Sequence, residues 1–372
     1  MKRVLFYAPY SAPIDALIVE LLIAAGWEVR YLCTGQRLRT GIPVQTLEHQ
    51  PLPEIHWGTS KLAKVRGALR SRKRVGEKAK ILQRSYQAFN PKLVIVSDFE
   101  LGVPAALRAG VGPILGLSQG SDVYEVPERD GKQSLAIRSA LEAVEGVIAL
   151  SNSHADRVRE LNPMARVTPL PPMVDCERFA PRPRPQSDMP RLLSLRGERK
   201  VYRQDIIKAA FALLDEELAL ELRIRLTPNW IHENWAKAIT RGRVSAVLAD
   251  IDPLAMPAEY TQASIVLQML RNESLGLTTL EAMASGRAIV GVDSTIHREL
   301  LPVTQQRWLV PARLETHDAA RSTADLVKEL ISAPNLLAEL EAANRAHALE
   351  HFSASKVRPK AQLVLSEALD GI

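Results

Sequence analysis

The sequence predicts two Rossmann-like, doubly wound α/β domains in tandem, and three observations carry that expectation. The chain has 372 residues, more than one hydrophobic core usually organises. Short apolar runs alternate with helical stretches along its length, the pattern of parallel strands covered by helices on both faces. A polar, proline-rich stretch at 182–190 divides two such series, and that composition favours an extended connection over a packed element.

The first series opens with a strand at 4–7, a helix at 14–25 stopped by Gly26, and a strand at 27–33. Further apolar strands are expected at 93–96, 114–117 and 147–150. The loop Ala8-Pro-Tyr-Ser-Ala-Pro13 after the first strand contains no G-x-G-x-x-G, so this half is not expected to hold a dinucleotide. Beyond the linker the expected elements are a strand at 191–195, a helix at 205–214, and strands at 220–226, 244–248, 265–269, 289–292 and 308–310. Helices at 334–351 and 357–369 close the chain. The boundaries read from this pattern are 1–181, a linker at 182–190, 191–352, and a terminal helical segment at 353–372.

Composition narrows the function. Apolar content of 46% is that of an ordinary globular protein. Cys33 and Cys176 form no metal-spacing pair, and two isolated cysteines fit a reducing cytoplasm. Asp15 and Glu20 interrupt the first apolar stretch, which reads as a strand and not as a signal peptide. No apolar run reaches the roughly 18 residues of a membrane span. The net charge of +6 is concentrated at 61–84, where ten lysines and arginines face one acid, Glu77, among Leu62, Val65, Leu69, Val75, Ile81 and Leu82. A basic amphipathic segment fits either a solvated helix face or docking to an anionic membrane. Nucleic acid is not expected, because no recognition motif and few aromatic residues accompany the charge.

The most informative stretch is Glu273-Ser-Leu-Gly-Leu-Thr-Thr-Leu-Glu281-Ala-Met-Ala-Ser-Gly286. Helix formers fill 278–284, Gly286 is a natural stop, and 288–292 is an apolar run suited to a buried strand. Gly276 therefore precedes a helix whose free N–H groups and positive dipole end suit a diphosphate. Glu273 lies on the loop beside that position. Glu281, about two turns into the helix, is placed to reach a ribose.

These residues resemble the Glu-x7-Glu signature of GT-B glycosyltransferases, in particular the retaining family 4 (glycosyl transferases group 1), whose wording is roughly E-G-F-G-L-x-x-L-E-A-M-A-x-G-x-P-V-V. The resemblance implies a GT-B fold, with its two Rossmann-like domains facing a central cleft, and a nucleotide diphosphate sugar as donor. It implies a contact from Glu273 to the donor sugar and from Glu281 to the ribose, with Gly276 and Leu277 at the phosphates. Weaker landmarks follow in family order. Gln119-Gly-Ser-Asp122 stands where the family has H-G-x-D, making Gln119 and Asp122 candidate catalytic residues. Leu170-Pro-Pro-Met-Val-Asp175-Cys-Glu-Arg-Phe179-Ala-Pro181 is similar to I-P-N-G-V-D-x-x-x-F-x-P. Arg196 and Lys200 stand in the register of the G-R-L-x-x-x-K-G motif, which makes them candidate clamps for the departing diphosphate.

This sequence also departs from the family. Gln119 replaces a histidine and cannot protonate, although it can hydrogen-bond a sugar hydroxyl. Pro172-Met173 replaces Asn-Gly, Met269-Leu270 replaces Pro-Ser, and Leu226-Thr-Pro-Asn replaces a G-x-G-P turn. The lysine of the clamp is Lys200 with a shifted loop, or is absent with Tyr202 and Arg203 in its place. Asp250-Ile-Asp252 has the form of a metal-binding D-x-D, yet its place before Pro253 suits a helix start. His232-Glu233 lacks the second histidine of a zincin. His297 either faces the donor or is a solvated loop residue.

The resemblance as a whole implies a retaining, metal-independent hexosyltransferase of glycan biosynthesis, needing no cofactor beyond its donor. Its acceptor is a glycan, a lipid-linked molecule or a small molecule bound by 1–181, and the terminal helix returns to that domain. The expected location is cytoplasmic, extending to the membrane face through 61–84. A nucleotide-sugar epimerase and a catalytically degenerate GT-B binding subunit are the alternatives.

Overall fold

The computed structural model of the protein describes residues 2–36, 42–52, 61–129, 131–183, 189–197, 200–225, 243–247 and 253–372. Residues Met1–Pro171 and Arg358–Ile372 form one compact unit, and Pro172–Val357 forms the other.

The first unit is built on a seven-stranded sheet: β1 (Arg3–Ala8), β2 (Glu28–Cys33), β3 (Leu47–His49), β4 (Leu93–Ser97), β5 (Ile114–Leu117), β6 (Gly146–Ala149) and β7 (Val167–Pro169). Every pairing is parallel and the spatial order is β3-β2-β1-β4-β5-β6-β7. Residues 4–8 and 93–97 are buried throughout, which is why these strands read as unbroken apolar runs and not as alternating ones. The edge strands β3 and β7 escaped the sequence pattern, being only three residues long and half-buried.

The second unit repeats the plan. Its strands are β8 (Arg191–Ser194), β9 (Glu221–Arg225), β10 (Arg243–Val247), β11 (Ile265–Gln268), β12 (Ala288–Asp293) and β13 (Leu309–Pro311). They run parallel in the order β10-β9-β8-β11-β12-β13. A core of Leu192, Ile206, Phe211, Leu222, Leu267, Val290, Trp308 and Val327 joins the sheet to its helices. In both units the chain builds outward from its first strand and then returns to that strand's other side. The direction reverses between β1 and β4 and again between β8 and β11, and such switch points are where open α/β sheets bind ligands.

One boundary read from the sequence shifts. Residues 172–181 pack with the second unit and not with the first: Val174 bridges to Ser353, the Cys176 thiol donates to the Ala348 carbonyl at 3.7 Å, and the Phe179 ring meets Tyr260 edge-on at 5.8 Å. The cause is burial, since Val174, Cys176 and Phe179 are apolar and all buried. At the other end of the chain, Arg358 pairs with Glu20 at 3.0 Å and Arg166 donates to the Gly371 carbonyl at 2.7 Å, both within the first unit.

The basic segment also differs from a free amphipathic face. It lies on the helix Lys61–Phe89, whose side chains are described from residue 73 onward. Ile81 and Leu82 belong to the first unit's core, with Val75 packed against it, and Lys78 is fully buried. These apolar residues are committed inward, so they are not available to enter a lipid surface. Arg70 and Arg72 lie outside the described side chains, as do Leu62, Val65 and Leu69. Among the described residues no helix is long and apolar enough to cross a membrane.

Candidate functional site

At the switch point of the second unit, the chain leaving β8 reaches Arg196 and the chain leaving β11 reaches Glu273. Their side chains form an ion pair through Arg196 Nη2 and Glu273 Oε2, each side chain only 17% exposed. Burial works against the charge of Arg196, but Glu273, with Tyr202, Tyr260 and Glu281 nearby, outweighs it and raises the pKa above the ordinary arginine value. The Tyr202 ring stacks 5.5 Å from it.

Gly276 then starts the helix Leu277–Ala284 from a left-handed conformation, φ 68°. A Cβ there would stand 2.6 Å from Leu300 Cδ1, so glycine serves both the backbone angle and the close packing. The Gly276 carbonyl accepts from Thr279 and Leu280 at 2.9 and 3.0 Å. The first N–H groups of such a helix have no partner within it and are available to an anion.

Glu281 lies on the same helix and accepts a hydrogen bond from the Tyr260 hydroxyl at 2.8 Å. Burial pushes its carboxyl up to about 7, against the opposing influence of Tyr260, Arg196 and Arg178. Below, the His297 ring is fully buried, with Nδ1 2.6 Å from the Val292 carbonyl and Nε2 3.3 Å from Thr279 Oγ1. Burial holds its pKa down at about 4, so it is neutral at physiological pH. His297 is therefore not a solvated loop residue. Ser294 caps the helix Thr295–Leu300 that carries it, and the ring braces the helix on which Glu281 sits.

Four buried polar atoms around this switch point have no hydrogen-bond partner among the described residues: Ser194 Oγ, Arg196 Nε, Gln204 Oε1 and Gln268 Nε2. Buried polar groups normally find partners, and orphans of this kind point to a missing ligand or water. Ser194 ends β8 and Gln268 ends β11, so two of the orphans stand on the strands that flank the reversal.

The pH dependence follows from Glu281. If a ribose hydroxyl donates to this carboxyl, binding favours the ionised form. With the folded value raised above the ordinary 4.5, ionising Glu281 lowers folding stability as pH rises from about 4.5 through about 7. A ribose bound there would recover part of that loss. Affinity for a nucleoside diphosphate is therefore expected to strengthen between about pH 6 and pH 8 in the wild type more than in Glu281→Gln. Glu281→Ala should weaken binding by about 1.5–3 kcal/mol, the loss of a hydrogen bond to a charged group. Titration calorimetry measures both effects, and equal affinities in wild type and Glu281→Ala would remove Glu281 from the site.

Gln119 and Asp122 lie in the first unit, beyond β5. Asp122 is 2% exposed, and its carboxylate accepts from Ser118 Oγ at 2.8 Å and from the backbone of Phe99, Gln119 and Gly120 at 3.2, 3.3 and 2.9 Å. These donors occupy both oxygens, and the side chain holds the loop in shape. Ser118 also meets His154 Nε2 at 2.9 Å, while His154 Nδ1 accepts from the Leu150 N–H at 3.1 Å. With Nδ1 accepting, Nε2 carries the proton and donates to Ser118, so these three residues do not form a nucleophile and base pair. Gln119 donates to Ser97 Oγ at 2.7 Å and to Asp15 Oδ1 at 3.3 Å, and Asp15 in turn accepts from Tyr31 at 2.7 Å. A cavity of about 750 Å³ lined by Trp27, Glu28, Arg30, Glu48, Arg84 and Phe89 opens at the N-terminal end of β2, the opposite end of the strands from the switch point.

The structure thus gathers Arg196, Glu273, Gly276, Leu277 and Glu281 in one region of the second unit and places Gln119 and Asp122 together in the first. Lys200 starts the short 3₁₀ turn Lys200–Tyr202, and its side chain lies outside the described residues. So do Asp250, Asp252, His232, Glu233 and the 226–229 turn. Sequence reasoning missed Tyr260, which no local motif connects to Glu281, and the pairing of Gln268 with Thr278 at 3.2 Å.

Residues 202–332 match the family of glycosyl transferases group 1. A search of curated proteins returns no match. Among solved structures, sucrose-phosphate synthase from Thermosynechococcus elongatus is similar with a TM-score of 0.76 at 15% identity, covering 100% of both chains. HepE from Anabaena, solved with UDP and glucose, gives 0.69 at 14% identity, again over 100% of both. A glycosyltransferase from Rickettsia africae gives 0.67 at 14% identity, over 99% of this chain and 98% of that one. At such identities the likeness establishes the two-domain GT-B fold, and the family match falls on the unit that carries Glu273 and Glu281. The chain has the two-domain GT-B fold, and residues 202–332 of its second unit match glycosyl transferases group 1.

Proposed function

We propose that the protein is a retaining, metal-independent glycosyltransferase that moves a hexose-like unit from a nucleotide diphosphate sugar to a glycan, lipid-linked or small-molecule acceptor held by the first unit. The observation that carries this reading is the Arg196–Glu273 pair at the β8/β11 switch point, beside the helix that starts at Gly276 and bears Glu281. HepE, similar in fold, has been solved with UDP-glucose, which supports a nucleotide sugar as the ligand of this region.

The chemistry asked of these residues is charge stabilisation. As the bond from the anomeric carbon to the diphosphate breaks, its electron pair goes to the phosphate oxygen. Arg196 and the N–H groups after Gly276 meet that developing charge. Glu281 holds the ribose, and Glu273 is left to contact the sugar once Arg196 turns to the phosphates. In a front-face route the departing phosphate takes the proton of the acceptor hydroxyl, and no protein nucleophile is required. The reaction is placed on the cytoplasmic side of the membrane, with the charge of 61–84 drawing the chain to anionic lipid.

The test is transfer from labelled UDP-, GDP-, ADP- and dTDP-sugars, with the anomeric configuration of the product read by NMR. A product of the donor's own configuration is expected, with turnover unchanged by EDTA and by Asp250→Asn combined with Asp252→Asn. An inverted product would overturn retention, and activity lost to EDTA and restored by manganese would revive the D-x-D site. Epimerised nucleotide sugar would favour the epimerase reading, and donor binding with no turnover the degenerate subunit.

A further inference from the structure

The helix Leu277–Ala284 begins at the proposed donor site and ends, about 12 Å further along its axis, at a second concavity of the same unit. There a cavity of about 490 Å³ is lined by Pro181, Arg182, Gly286, Arg287, Glu341 and Arg345. It lies at the N-terminal end of β12, the opposite end of the strands from the β8/β11 switch point. Three arginines against one carboxylate leave the lining with a balance of two positive charges.

These charges are not equally engaged. Arg287 is buried, pairs with Glu341 at 3.6 Å and donates through Nη2 to the Arg182 carbonyl at 3.4 Å. Arg345 lies one turn after Glu341 on the helix Pro334–His347, and its Nη1 donates to the Cys176 and Ala284 carbonyls at 2.8 and 2.7 Å. Those neutral acceptors fix the plane of the guanidinium without cancelling its charge. Among the described residues no carboxylate pairs with Arg345, nor with Arg182, which is exposed. Gly286 keeps the space between the walls: a Cβ there would stand 3.3 Å from Pro181 Cγ and 3.5 Å from the Glu341 carbonyl oxygen.

We infer that this cavity binds a small molecule carrying two phosphate groups, one held by the Arg345 fork with Arg287 behind it and the other drawn by Arg182. Planar guanidinium forks match phosphate oxygens in geometry as well as charge. A volume of this size falls in the range of small-molecule sites and exceeds what a lone phosphate fills. Inorganic pyrophosphate and an organic bisphosphate share the chemistry. Arg345 also holds the carbonyl that ends the helix bearing Glu281, so the ligand and that helix end draw on one side chain. The site stands whether or not the second unit takes a nucleotide sugar.

The experiment is calorimetric titration of the full chain with fructose 1,6-bisphosphate, pyrophosphate, inorganic phosphate and fructose, repeated on Arg182→Gln, Arg345→Lys and Arg196→Ala. At least one of the two-phosphate ligands should bind more tightly than inorganic phosphate, with fructose inert. Arg182→Gln and Arg345→Lys should each weaken it by about tenfold, and nucleoside diphosphate affinity in Arg182→Gln should match wild type. The Arg182 side chain makes no hydrogen bond among the described residues, so Arg182→Gln is expected to fold and decides the matter even where Arg345→Lys does not. Tighter binding of pyrophosphate assigns the site to an inorganic ligand, and tighter binding of the sugar bisphosphate to an organic one. The inference fails if the wild type binds neither, if inorganic phosphate binds as tightly as both, or if Arg182→Gln leaves the affinities unmoved. It fails too if Arg196→Ala abolishes the binding, which would put the anion at the donor site instead.

Discussion

Arg196→Ala is expected to lower turnover by about two to three orders of magnitude, the loss typical of removing one preorganised group that stabilises charge in a transition state. Arg196 is the cation that the β8/β11 switch point holds in place, paired with Glu273 and 17% exposed. Its removal would take the positive charge from the proposed path of the departing diphosphate and leave Glu273 without its cation. Breaking a fully buried ion pair costs about 3–5 kcal/mol. This pair retains some contact with solvent, so a smaller loss, about 2 kcal/mol of folding stability, is expected. Arg196→Lys should fall between, because it restores the charge but not the planar fork. Single-turnover rates with a labelled donor and urea unfolding separate the two effects. Turnover within a few-fold of wild type would remove Arg196 from the chemistry.

Gly276→Val should damage fold and binding together. The left-handed angle disfavours any residue with a Cβ by about 1–2 kcal/mol, and a branched side chain is the least tolerant of it. The new Cβ would meet Leu300 Cδ1 at 2.6 Å and Ile296 Cγ1 at 3.4 Å. Leu300 and Ile296 are themselves buried, so relief requires the start of the helix Leu277–Ala284 to shift, and with it the N–H groups offered to an anion. A loss of about 3 kcal/mol in urea unfolding and at least tenfold weaker nucleoside diphosphate binding are expected. Gly276→Ala should lie between the two. Wild-type stability and affinity in the valine variant would show that neither the angle nor the contact matters.

These residues also mark what the sequence discloses. Gly276, Glu281 and Gly286 lie within one helix and its caps, and their placement depends on local backbone geometry that spacing reveals. The central strands were legible for a similar reason, since burial on both faces leaves unbroken apolar runs. Tyr260 was not legible, because its hydrogen bond to Glu281 spans two helices joined only by the fold. The basic run at 61–84 was legible as charge but not as direction. Only packing shows that Lys78 turns inward to Thr34 and Pro9 while Lys80 and Arg84 stay exposed. His297 misled for the same reason, a polar residue after a strand that the fold encloses completely.

The most direct test of the central claim is titration calorimetry of the wild type, Arg196→Ala and Glu281→Ala with UDP, GDP, ADP and dTDP. The account predicts that the wild type binds at least one of them, that Glu281→Ala weakens that ligand by about 1.5–3 kcal/mol, and that Arg196→Ala weakens it as well. Failure of all four to bind the wild type, or binding untouched by both substitutions, would contradict a nucleotide-sugar site at the β8/β11 switch point.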